Sequence, residues 1–147
     1  MKKYLVIFFA VLYLNSCGVI DPVSVIDGSY EGTYITTLHY GTDTSLVGKG
    51  KISFEFSGGK YKYDTDYILI DGKRIWILPG SLGSFGLSKR KLKFVDIGRH
   101  TALYEPSLYL NGDYVYKYDG SKLTLTQNDL DYKYFHELEL HKIRTAD

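Results

Sequence analysis

Between Lys51 and Asp64 polar and apolar side chains alternate with a period of two, interrupted once by Ser57-Gly58-Gly59-Lys60. A period of two puts Ile52, Phe54 and Phe56 on one face of a strand and leaves Lys51, Ser53 and Glu55 on the other. The paired glycines accept the positive φ of a tight hairpin turn, and Tyr61 and Tyr63 alternate with Lys60, Lys62 and Asp64 on the way back. A strand pair with one apolar face needs a larger sheet to bury it. Fifteen tyrosines, seven phenylalanines and fifteen glycines against three prolines supply strands and turns throughout, and long helical periodicity is absent after the first residues.

Upstream, Ser29 to Tyr40 reads as one long strand with Tyr30, Tyr34, Leu38 and Tyr40 on a shared face, followed by a polar turn from Gly41 to Ser45. Downstream, Tyr67 to Ile70 and Arg74 to Leu78 form a hairpin around Asp71-Gly72. Both of its faces are apolar, which calls for an outer cover. The glycine-rich stretch from Pro79 to Ser88, carrying Leu82, Phe85 and Leu87, is expected to be a loop. It either caps the domain, covering that hairpin or the barrel end, or serves as a lid or contact site. Further strands are expected at Lys91 to Val95, Leu108 to Tyr118, Lys122 to Thr126 and Tyr132 to Ile143, with Asp96 to Pro106 as a poorly patterned connection. Tyr114, Tyr116 and Tyr118 share a face, Leu138 and Leu140 point inward, and Asn111-Gly112 is either a tight turn or a bulge. About eight to ten strands joined mainly by short turns describe an all-β, antiparallel up-and-down barrel, whose closure removes exposed edges.

The first residues follow another logic. Lys2 and Lys3 precede ten apolar residues, Leu5 to Leu14, which as a helix cover roughly 15 Å of a bilayer core roughly 30 Å thick. The block is therefore read as a signal peptide and not as a permanent span. Leu14-Asn15-Ser16-Cys17 resembles the lipobox of bacterial lipoproteins, with Asn15 the one departure. That resemblance implies cleavage before Cys17, acylation of its thiol and a lipid-anchored protein of the bacterial cell envelope, at the outer membrane. Cys17 is the only cysteine, so an exported chain has no disulfide framework. The expected organisation is a signal peptide at 1–16, an acylated tether at 17–26 and a barrel domain at 27–147. The tether is apolar enough at Val23 to Ile26 to pack against that domain. Losing Lys2 and Lys3 takes the 18 basic residues to 16 against 17 acidic ones, a formal −1. Such near-neutrality argues against a nucleic-acid partner.

Reactive constellations are not evident. His39, His100, His136 and His141 are scattered, and the five-residue step from His136 to His141 puts them on opposite faces of a strand. Asp64-Thr65-Asp66 and Asp129-Leu130-Asp131 read as solvated turn acids rather than a calcium site. Gly80, Gly83 and Gly86 lack the lysine and hydroxyl of a phosphate loop, and Ser81 and Ser84 lack nucleophile-elbow spacing. No catalytic residue, metal site or cofactor is assigned, and a non-enzymatic protein is expected.

Gly28-Ser29-Tyr30-Glu31-Gly32-Thr33-Tyr34, Ile52-Ser53-Phe54-Glu55-Phe56 and Leu110-Asn111-Gly112-Asp113-Tyr114-Val115-Tyr116, followed by Asp119-Gly120 and Leu123-Thr124-Leu125, complete a pattern. With the lipobox, it resembles a family of small lipoproteins from Bacteroidota-type bacteria with a lipocalin-like barrel. Gly28 and Tyr30 hold the spacing at which lipocalins place a glycine and a tryptophan. The resemblance also implies a basic residue of the last strand, Lys142 or Arg144, over that aromatic ring. Two functions follow from a barrel of this size. In one, a small, largely apolar ligand sits inside, against Phe54, Tyr63, Tyr114, Tyr116 and Leu138. In the other, bulky tyrosines fill the interior and the barrel is an interaction platform. Its Leu82 to Lys91 segment then meets an envelope protein or the bilayer. Carbohydrate binding by exposed tyrosines is a third reading.

Overall fold

The computed structural model describes residues 22–40, 42–70, 73–98, 108–127 and 133–144. A short 3-10 helix, Pro22–Ile26, leads into β1 (Gly28–Tyr40), β2 (Asp43–Ser57) and β3 (Lys60–Thr65). A small hairpin, β4 (Ile68–Ile70) and β5 (Lys73–Ile75), precedes β6 (Ser81–Leu87) and β7 (Lys91–Asp96). The chain closes with β8 (Gly112–Tyr118), β9 (Lys122–Gln127) and β10 (Tyr134–Lys142). Eight strands form a closed barrel in the order β1-β10-β9-β8-β7-β6-β3-β2, with every neighbouring pair antiparallel. The expected all-β up-and-down barrel is what the chain forms.

Alternation drives closure. In β3, Tyr61, Tyr63 and Thr65 are buried while Lys60, Lys62 and Asp64 are exposed. In β2, Ile52, Phe54 and Phe56 do the same between Lys51, Ser53, Glu55 and Ser57. The barrel has two unlike ends. At one, the turn end, tight connections join β2 to β3, β6 to β7 and β8 to β9. Gly58 and Gly59 there take φ of 55° and 77°, a conformation that only glycine adopts without strain. The longer connections gather at the other, the loop end.

Both ends are stoppered by backbone that the tyrosines hold. At the turn end Ile26 is fully buried, and the Tyr30 hydroxyl donates to its carbonyl at 2.9 Å. At the loop end Tyr61 donates to the Leu110 carbonyl at 3.1 Å, and the Leu110 amide donates to the Tyr63 hydroxyl at 3.3 Å. The Thr65 hydroxyl donates to the Leu78 carbonyl. Leu78, Tyr109 and Leu110 are buried there. A buried hydroxyl without a partner costs about 1–3 kcal/mol, so these bonds are what allow tyrosine to serve as interior filling.

Several local expectations are corrected. Pro79 to Ser88 is not a loop: β6 runs through it and pairs with both β3 and β7. Gly80 and Gly83 are sites of close approach, whereas Gly86 is not. A Cβ on Gly83 would lie 2.1 Å from the Val95 carbonyl oxygen and 2.7 Å from the Tyr61 ring. Phe85 therefore points inward, and Leu82 faces out at 47% exposure. β4 and β5 form a separate two-stranded sheet, Trp76 to Leu78 lies outside its strands, and Asp71-Gly72 lies outside the described residues. β2 begins at Asp43, within the expected turn, and pairs with β1 across a register shift between Thr36 and Thr37. Leu108 to Leu110 is not strand but the loop-end stopper, and Asn111-Gly112 is the entry to β8, with Gly112 at φ 87°.

Candidate functional site

The interior is an aromatic stack. Phe54 lies over Phe56 with centroids 4.4 Å apart and against Tyr63 at 5.5 Å, and Phe56 meets Tyr30 edge-on at 5.7 Å. Contacts also cross the lumen. Phe94 on β7 reaches Phe54 on β2 at 5.8 Å and Tyr61 on β3 at 4.7 Å, while Phe56 reaches Phe85 on β6 at 5.0 Å. Since β3 and β6 stand between β2 and β7 in the barrel, rings at these distances fill the space that separates the walls.

The five interior candidates lie in or against this core. Phe54, Tyr63, Tyr114 and Leu138 are at most 3% exposed, and Tyr116 is half-buried and packs on the same cluster. Phe54 and Tyr63 stack on each other, and Tyr114 meets Phe94 edge-on at 5.2 Å. Leu138 sits on β10 opposite Tyr34 of β1 and Leu125 of β9. They are brought together as packing, with Phe54, Tyr63 and Tyr114 in ring-to-ring contact within it. Burial raises the pKa values of Tyr30, Tyr34, Tyr61 and Tyr63, so these hydroxyls stay neutral donors and acceptors across the physiological range.

One polar group of residues sits inside the wall, among β1, β9 and β10. Fully buried His136 places Nδ1 3.0 Å from the Thr36 hydroxyl, and its amide donates to the Gln127 side-chain carbonyl at 3.1 Å. The Gln127 amide nitrogen is buried without a hydrogen-bond partner among the described residues. The other described histidines stand apart: His39 packs on Phe135 at 4.0 Å, and exposed His141 pairs with Glu139 at 3.3 Å. Among the described residues no three metal-ligating side chains come together. Cys17, His100, Asp129 and Asp131 lie outside the described residues.

Concave surface is found on the outside of the wall. A groove of about 660 Å³ crosses β10, β1, β2 and β3 and is edged by Glu31, Lys51, Asp64, Asp66 and His141. A second, of about 460 Å³, lies between Trp76, Pro79 and Leu82, with Lys62 and Asp64 at its rim. Tyr67 meets Trp76 edge-on at 5.8 Å beside it. Sequence reasoning did not find this groove, because it depends on β6 being a wall strand and on Leu82 facing out. The alternation of Leu82, Ser84 and Gly86 with Ser81, Gly83 and Phe85 was the available signal.

Fold and core together define an eight-stranded antiparallel barrel filled by aromatic side chains. No family model, curated protein or solved structure matches the chain.

Proposed function

We propose that this chain is a lipid-anchored protein of the bacterial cell envelope whose filled barrel is a non-enzymatic platform for an envelope partner. The observation that carries the reading is the contact of Phe94 with Phe54 across the lumen, which leaves the interior to side chains and turns attention to the outer wall. The groove beside Trp76 supports it: an indole, an exposed leucine and two charged rim groups are the mixture that protein interfaces favour. The anchor rests on the Lys2 to Cys17 pattern. A doubly acylated cysteine binds a bilayer durably, since each buried methylene contributes about 0.8 kcal/mol.

Two measurements test this reading. Growth with an alkyne-tagged fatty acid labels the wild-type chain and keeps it in the membrane fraction; Cys17→Ala loses both, and normal labelling of that variant contradicts the anchor. A photo-crosslinking side chain at Leu82 yields one discrete protein adduct in intact cells, whereas the same group at outward-facing Glu55 does not. Absence of a Leu82-specific adduct contradicts the platform.

A further inference from the structure

The turn end of the barrel is basic, and it is the end at which the chain enters. Lys60, Lys89, Arg90, Lys122, Lys142 and Arg144 all belong to its turns or strand ends, against Asp27 and Asp119. Both acids are engaged locally. Asp27 accepts the Gly58 amide with each carboxylate oxygen at 3.2 Å. Asp119 accepts the amides of Ser121 and Lys122 at 2.9 and 2.7 Å. Lys122 is bridged to Glu139 at 2.9 Å, and Lys142 lies over the Tyr30 ring. Lys60, Lys89, Arg90 and Arg144 are exposed and have no ion-pair partner among the described residues. Two apolar side chains stand out at the same end, Val25 at 48% exposure and Ile143 at 43%.

We infer that this end docks on an anionic lipid surface, with the four free cations over headgroup phosphates and Val25 and Ile143 at the interface. The inference rests on the lipid-anchored reading and gives it an orientation. Five residues of extended chain from Cys17 to Pro22 reach at most roughly 17 Å. An acyl anchor at Cys17 therefore keeps the turn end close to the membrane. Within a screening length of about 8–10 Å a basic side chain near an anionic surface adds attraction, so the anchor and the charges act together. The groove beside Trp76, toward the loop end, then points away from the bilayer and stays open to a partner.

Every buried core residue among the described ones lies between Ile26 and Leu140, so residues 18–147 retain the whole described barrel and lack the thiol. This chain is sedimented with vesicles of phosphatidylcholine alone and of phosphatidylcholine mixed with phosphatidylglycerol. Binding to the anionic vesicles only, weakened by added salt, is the expected result. Combining Lys60→Gln, Lys89→Gln, Arg90→Gln and Arg144→Gln should weaken it by about fivefold per charge removed, from about 1 kcal/mol per basic residue. Lys49→Gln with Lys51→Gln, on β2 away from the turn end, should leave it within a factor of about two, as expected for charges outside the screening length. Equal binding to both vesicle types, no binding to either, or equal loss from the control pair overturns the inference. None of these outcomes touches acylation of Cys17, which the fatty-acid label reads separately.

Discussion

The ring centroids of Phe54 on β2 and Phe94 on β7 lie 5.8 Å apart, although β3 and β6 stand between their strands. An eight-stranded barrel is at the size where side chains either fill the lumen or leave room for one small ligand. Here the alternation along β2, β3 and β7 delivers phenylalanine and tyrosine to the same level of the interior, and they interlock there. Tyrosine can do this because its hydroxyls are bonded to backbone at both ends of the barrel, by Tyr30 at Ile26 and by Tyr61 and Tyr63 at Leu110.

Phe94 touches Phe54, Phe56, Tyr61 and Tyr114, so its removal leaves a hole that no single neighbour can close. Phe94→Ala is expected to cost about 3–5 kcal/mol in urea unfolding, the range for a large aromatic taken from a packed core. A loss below about 1 kcal/mol, typical of a surface substitution, would mean that the interior is loosely packed.

Gly83 and Gly86 lie on the same strand and should respond differently. A Cβ at Gly83 collides with the Val95 carbonyl and the Tyr61 ring, whereas one at Gly86 meets nothing within 4 Å. Gly83→Ala should destabilise by about 1–3 kcal/mol, and Gly86→Ala should stay within about 0.5 kcal/mol of wild type. Thermal unfolding of the pair checks the placement of β6 in the wall. Equal effects of the two substitutions would contradict it.

Alkali should unfold the barrel. Burial raises the pKa values of Tyr30, Tyr34, Tyr61 and Tyr63, so above about pH 10 the unfolded chain has lost tyrosine protons that the folded one still holds. The unfolded state then binds fewer protons, and stability falls as pH rises. Below about pH 10 both states are protonated and the contribution is fully present. Tyrosinate absorbance should therefore rise in a cooperative step that coincides with loss of the far-ultraviolet strand signal. A smooth, non-cooperative titration of all tyrosines in a folded barrel would contradict the burial.

Gln127 replaces a ladder hydrogen bond with a side-chain one, accepting the His136 amide where β9 and β10 part. Gln127→Leu strands that buried amide and is expected to cost about 1–3 kcal/mol despite removing an unsatisfied side-chain nitrogen. Chemical denaturation reads the difference, and an unchanged midpoint would show that the bond contributes nothing.

Much of this architecture was legible because one physical rule, period-two burial, governs Ile52 to Phe56, Tyr61 to Thr65, Leu123 to Gln127 and His136 to Leu140. The pairing of Tyr30 with the last strand was also legible: Lys142 places its ammonium 5.8 Å from the Tyr30 ring centre. β6 was not, because local propensity reads Gly80, Gly83 and Gly86 as loop, while Tyr61 from another strand supplies the bulk that Gly83 lacks. The stopper at Leu108 to Leu110 was misread for the opposite reason. Its residues favour a strand, and the tyrosines of β3 capture the Leu110 backbone instead. Whether the interior is a chamber or a packed core was open in the sequence, since Phe54, Tyr63 and Tyr114 suit both; ring-to-ring distances across the lumen favour the packed core.

Native mass spectrometry of the chain carrying Cys17→Ala, purified from cells without denaturation, tests the filled interior most directly. The account predicts the mass of the polypeptide alone, before and after incubation with a broad lipid extract. A retained small molecule, displaced by Phe94→Trp or another enlargement of the lumen-facing rings, would contradict it.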